Sequence, residues 1–148
     1  PHSSADGVLL RSSNSSENNI GSLNGVFYTD PTTSKPTWSN YLPASTAASD
    51  IVAFVNSDPQ QIFEIRNATS TLAAADVGGT TKIVLGAGVT PNWVSTSTVY
   101  DTAGTSADQF KLIGISRDPD NQDASANGCI WRVQIYEHIL ANICAAGI

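Results

Sequence analysis

From Asp50 to Arg66 the chain reads DIVAFVNSDPQQIFEIR. Two short apolar runs flank an Asn-Ser-Asp-Pro turn signal. In an extended chain Ile51, Ala53 and Val55 point one way and Val52 and Phe54 the other. Ile62, Glu64 and Arg66 then alternate with Phe63 and Ile65. This is the period of a strand, not of a helix. Pro59 fixes its own backbone and pushes Asp58 out of the helical region, so the chain turns at Asn56–Pro59 as a hairpin or a strand corner.

The same pattern extends outward in both directions. Gly25–Tyr28 reads as a short strand ending at Asp30-Pro31, and Lys35–Trp38 as its return. Pro43–Ser49 is a loop or one helical turn. Ala68–Ala75, rich in Ala and Thr, has room for a short helix that Gly78-Gly79 breaks. Lys82–Leu85 and Trp93–Tyr100 are expected to be extended, and Phe110–Ser116 is a strand. Ile130–Leu140 is the expected last strand, with Trp131, Val133, Ile135 and Ile139 on a core face and Arg132, Gln134 and His138 on a wet or partner-facing one. Seven or eight short strands with long polar loops and little helix give an all-β fold, a single-domain β-sandwich or small β-barrel. Residues 1–148 form one domain. Residues 1–20 are expected to be an extended or looped arm, including the polar run Ser12–Asn19, and residues 141–148 a C-terminal tail. The chain starts at Pro1 and has no Met, so a preceding segment is expected.

Composition narrows the function classes. Charged residues are 14% and the net charge is −6, against roughly 25% charged in an ordinary soluble domain. The surface is therefore built from Ser, Thr, Asn and Gln, groups less costly to bury against another chain than charges are. The seven basic residues occur singly, which argues against nucleic-acid binding. No apolar run approaches the roughly 18 residues of a membrane-spanning helix, so no membrane partner is expected.

Catalytic and metal chemistry find little footing. The two histidines, His2 and His138, have no nucleophile motif beside them, and His138 reads as a surface or interface residue. Asp118–Asp123 resembles a calcium loop only faintly. Its sixth position is Asp123 rather than Gly, and its twelfth is Cys129 rather than Glu. Such a loop more often caps its own turns. Glu64 and Glu137 are the carboxylates a sugar hydrolase would need, and the plainer reading pairs them with Arg66 or Arg132. Cys129 and Cys144 lack metal-ligand spacing, and a disulfide between them stays open beside a reading of Cys129 as a small buried side chain. Asn14 and Asn67 begin glycosylation triplets that arise by chance in a chain this rich in Ser and Thr. No cofactor is expected. The apolar-rich strand edges and the aromatic residues Trp38, Tyr41, Trp93 and Tyr136, with His138, are the candidate contacts, since aromatic side chains are favoured at interfaces. Each also has an alternative as core.

Taken in order, GVFYTD (Gly25–Asp30), KPTWS (Lys35–Ser39), YLPAST (Tyr41–Thr46), DIVAFVNSDPQQIFEI (Asp50–Ile65), a Gly-rich segment, FKLIGISRDPDN (Phe110–Asn121) and VQIYEH (Val133–His138) form a pattern. It resembles small virion structural proteins of tailed phages of marine and freshwater bacteria, of the capsid decoration (cement) kind. The resemblance runs from about Asp6 to His138. In that family a further segment precedes the stretch seen here at Ala5–Leu9, while the tail beyond His138 is longer than the family leads one to expect. The resemblance implies a non-enzymatic protein on the capsid exterior that contacts the major capsid protein, often as a trimer. Alternatives are a head-fibre base or tail component, an extracellular carbohydrate-binding β-sandwich, and a hydrolase using Glu64 and Glu137.

Overall fold

The computed structural model describes residues 2–3, 9–10, 18–68, 72–100 and 108–141. Its strands are β1 (His2–Ser3), β2 (Leu9–Leu10), β3 (Ser22–Thr29), β4 (Pro36–Ser39), β5 (Val52–Asn56), β6 (Ile62–Arg66), β7 (Thr80–Thr81), β8 (Ile83–Val84), β9 (Gly88–Val89), β10 (Val94–Ser95), β11 (Thr98–Val99), β12 (Phe110–Ile115) and β13 (Ile130–Ile135). The described residues contain no α-helix. The Ala-rich stretch forms one 3-10 turn, Ala74–Asp76. Among the described residues the fold is all-β with no closed barrel, so of the two expected architectures the sandwich-like one fits.

Two antiparallel sheets carry it. One has the order β6-β13-β12-β7, the other β4-β3-β5. The smaller pairs are β1-β2, β9-β10 and β8-β11. The Asn56–Pro59 turn is a corner, not a hairpin: β5 pairs with β3, whereas β6 pairs with β13 in the other sheet. Asp58 builds the corner. Its carboxylate accepts the Gln60 N–H at 2.8 Å and its carbonyl accepts the Gln61 N–H at 3.1 Å. Gln134 then donates from Nε2 to the Pro59 carbonyl at 3.0 Å, tying the corner to β13.

The core lies on one face of the four-stranded sheet. Cross-strand rows run Phe63–Val133–Leu112 and Ile65–Trp131–Ile115, and Ile135 faces Phe110. Leu112 and Ile115 share this face although three residues apart, because the ladder slips at Ile113 and a bulge absorbs the odd residue. Leu72, Val99 and Cys129 complete the buried cluster. The opposite face carries Glu64, Arg132, Gln134 and Lys111, as the alternation predicts.

Two expectations need correction. The last strand ends at Ile135, not Leu140. Its ladder ends there, because Ile135 is opposite Phe110, the first residue of β12, and Gln134 is opposite Ile62, the first residue of β6. Beyond that point no described strand flanks the chain; Tyr136 donates its N–H to the Gln109 carbonyl, and the next residues are held by Asn19. The Trp93–Tyr100 stretch is not one strand but β10 and β11, separated at Thr96-Ser97, and Lys82 separates β7 from β8.

Candidate functional site

Residues directly opposite in a ladder share a face of the sheet. Phe27 is opposite both Trp38 and Val52, and Gly25 is opposite Phe54. Gly25, Phe27, Trp38, Val52 and Phe54 therefore form one side of the β4-β3-β5 sheet. That side is open: Trp38 is 55%, Val52 52%, Phe54 46% and Phe27 41% exposed. The other side holds Val26 and Tyr28, both buried. A ring of this kind carries roughly 150–250 Å². Half-exposure of three of them leaves on the order of 300 Å² open, a size at which an apolar patch on a monomer is often functional. The named face residues carry no charge.

Gly25 organises the patch. A Cβ there would run into the Trp38 indole. Without it, Trp38 leans across the central strand and meets Phe54 on the far strand, centroids 4.9 Å apart and planes tilted by 55°. Gly25→Val is expected to drive the indole off Phe54. It removes a ring contact worth about 0.5–1.5 kcal/mol, and the NMR cross-peaks between the two rings should vanish. Persistence of those cross-peaks would show that the notch is not needed.

A second aromatic pair lies next to β4 in sequence. Asn40 Nδ2 donates to the Asn92 carbonyl at 3.0 Å, holding the β9-β10 connection. There Tyr41 stacks on Trp93 with centroids 5.3 Å apart and an interplanar angle of 28°. Trp93 has φ 52, a backbone region costly for a bulky residue, and is 45% exposed.

The remaining two candidates separate. Tyr136 is 55% exposed just past the end of β13. His138, expected on a wet face, is fully buried. Because β13 has ended, the alternation that placed it outside no longer applies. The segment around it is held by Asn19, whose N–H donates to the Glu137 carbonyl at 3.1 Å and whose carbonyl accepts the Ile139 N–H at 3.0 Å. His138 Nδ1 accepts the Leu140 N–H at 3.1 Å, so the ring proton belongs on Nε2.

Burial holds His138 below its ordinary value, against the opposing pull of the Ile20 carbonyl and the Asp58 carboxylate. The folded ring therefore binds a proton less readily than the unfolded one. The stability this contributes is full above pH about 6.5 and is lost as pH falls through the lowered value. The urea midpoint is expected to fall as pH drops below about 6.5, and His138→Gln should flatten that fall. An equal slope in the variant would refute the assignment. Asp30, Asp50 and Asp123 are also lowered, chiefly by hydrogen bonds from Thr32, Thr29 and Ser125 respectively. Their contributions are lost at more acid pH, below the usual carboxylate range.

Other candidate chemistry is absorbed by structure. Glu64 accepts the Ser116 hydroxyl at 2.8 Å in a shallow groove with Arg117, Asp118 and Arg132, and Glu137 is not part of that groove. Glu64 lies opposite Arg132 in the ladder, but the one ion pair among the described residues is Lys82–Asp108. The Asp118–Asp123 loop closes on itself. Asp118 Oδ1 accepts the Asp120 N–H at 3.0 Å, and Asn121 bonds across to Ile130 through both its amide atoms. No group of three or more potential metal ligands occurs among the described residues. Cys129 is buried and free, and burial pushes its thiol up. Cys144 lies outside the described residues, as do Asn14 and His2's side chain. Asn67 is buried, with Nδ2 donating to Ala126, which leaves no room for a glycan.

The sequence reading named Trp38 but not Phe27, Val52 or Phe54. Their alternation was visible, but both sides of β5 are apolar, so the pattern does not say which one faces out. No family model, curated protein or solved structure matches the chain. No helix among the described residues is long and apolar enough to cross a membrane.

Proposed function

We propose that this chain is a non-enzymatic decoration protein of a tailed-phage virion, binding the outside of the assembled capsid shell and stabilising it. The observation that carries attachment is the uncharged aromatic face of Phe27, Trp38, Val52 and Phe54, open on one side of an otherwise covered sheet. The virion setting comes from the ordered run of segments between Gly25 and His138. The partner is the major capsid protein, and a trimer on a threefold position lets each copy bridge several shell subunits. A protein that binds the shell but not its free subunits stabilises the shell by mass action.

A carbohydrate-binding reading is less well served. A sugar ring lies flat on an aromatic face, and Trp38 and Phe54, tilted by 55°, do not share a plane. Such tilted rings suit an interlocking protein surface. Mass spectrometry of purified particles tests the proposal by copy number, with hundreds expected for decoration and a few for a fibre base or tail part. Particles stripped of the chain should melt at lower temperature and recover on adding it back. Absence from particles, or an unchanged melt, overturns it.

A further inference from the structure

The edges of the two sheets differ in how they are closed. β4 has four residues, begins with Pro36, and its end is tied to the β9-β10 connection through Asn40. β6 carries Glu64 and Arg66 and runs into Asn67, which bridges to Val99. β7 has two residues. β5 has none of these protections. Its five residues, VAFVN, hold no charge and no proline. The bulge in its ladder with β3 lies on the β3 side, between Leu23 and Gly25, so β5 itself is regular. Among the described residues its backbone bonds to β3 alone. An open, regular, apolar edge is a template for another strand.

We propose that the free edge of β5 is a strand-addition site that takes an extended segment of the shell protein, apolar on alternate residues and basic at its two ends. The edge N–H and C=O groups, which have no partner among the described residues, require an extended backbone. Val52 and Phe54 require apolar side chains on the same face. Asp50 and Asp58 flank the strand, and no Lys or Arg lies between Lys35 and Arg66, so matching basic residues lie at the segment's ends. Asp50 is positioned by Thr29, whose hydroxyl and N–H donate to its carboxylate at 2.6 and 3.1 Å. The same charges disfavour a second copy as occupant. Antiparallel pairing of two β5 strands about Phe54 sets Asp50 of each copy against Asp58 of the other, in chains of net charge −6.

That the segment comes from the shell rests on the proposed function, whereas the site itself does not. The test uses the full chain with two synthetic peptides, acetyl-KTVTVTVTK-amide and acetyl-ETVTVTVTE-amide, whose end charges are as far apart as Asp50 and Asp58, read by amide hydrogen exchange. The Lys-flanked peptide should slow exchange across Val52–Asn56 and bind about tenfold tighter than the Glu-flanked one. That preference should shrink in about 0.5 M salt and disappear in the Asp50→Asn/Asp58→Asn double variant, whose amides retain the local hydrogen bonds. No protection at millimolar peptide overturns strand addition. Equal protection by both peptides overturns the charge rule. Concentration-dependent protection without peptide assigns the edge to a second copy and overturns the proposed occupant. If particles carry the chain but the peptides fail, the strand-addition site is wrong and the shell reading stands. If the peptides bind but particles lack the chain, the reverse holds.

Discussion

Phe54→Lys is expected to abolish attachment to the shell while leaving the domain folded. Phe54 is about half exposed, on an edge strand, so its loss from the free protein removes mainly the tilted contact with Trp38. That is about 0.5–1.5 kcal/mol, a modest drop in thermal midpoint. In the bound state the change is far larger. An aromatic anchor at an interface centre is worth about 2 kcal/mol or more, and the lysine adds an unpaired charge to a desolvated apolar contact. Affinity for stripped particles should fall by about 100-fold or more, measured by co-sedimentation. Val84→Lys introduces the same charge at an exposed valine on β8, outside this face, and should bind normally. Equal loss in both variants would make the effect one of net charge and sink the assignment of this face. Wild-type binding by Phe54→Lys would do so outright.

Trp131→Ala is expected to be the most destabilising single substitution in the described core. The residue is fully buried between Ile65 and Ile115 on the core face of the four-stranded sheet. Its Nε1 has no hydrogen-bond partner, so truncation leaves no orphaned acceptor behind. The loss is the transfer of the indole plus the cavity, about 3–5 kcal/mol. Against a typical domain stability of about 5–15 kcal/mol, this is a large share of the total. Urea unfolding should show the midpoint shifted with an unchanged slope. Trp38→Ala, an exposed change of the same kind, should lower stability by much less. A comparable loss at both sites would mean that the β4-β3-β5 face is covered within the monomer.

Much of the fold was legible because two of the strands announce themselves by period. In β13 large apolar residues alternate with polar ones and the side facing the core follows directly, whereas in β12 the alternation holds only to Leu112, because the bulge at Ile113 moves Ile115 onto the core side. The four-residue and longer strands β3 to β6 were likewise all anticipated, though β3 runs further than Gly25–Tyr28. The end of β13 was not legible, because the apolar spacing continues to Ile139 after the neighbouring strands stop. That single misplaced boundary put His138 outside when it is buried. The candidate site was half legible. Trp38 stood out as an aromatic in a polar stretch, but Val52 and Phe54 alternate with Ile51, Ala53 and Val55, and apolar residues on both sides carry no inside-or-outside signal.

The sequence by itself determined the class of fold and a surface poor in ionisable groups. Short-period alternation, Pro and Asp at the turns, and few ionisable groups are local properties that need no knowledge of neighbours. Only the tertiary structure decided that Asn56–Pro59 is a corner between two sheets, that β5 is an edge strand among the described residues, and that Trp38 reaches Phe54 across Gly25. Each depends on which strand lies beside which, and strand pairing joins residues far apart in the chain through backbone groups that every residue carries alike.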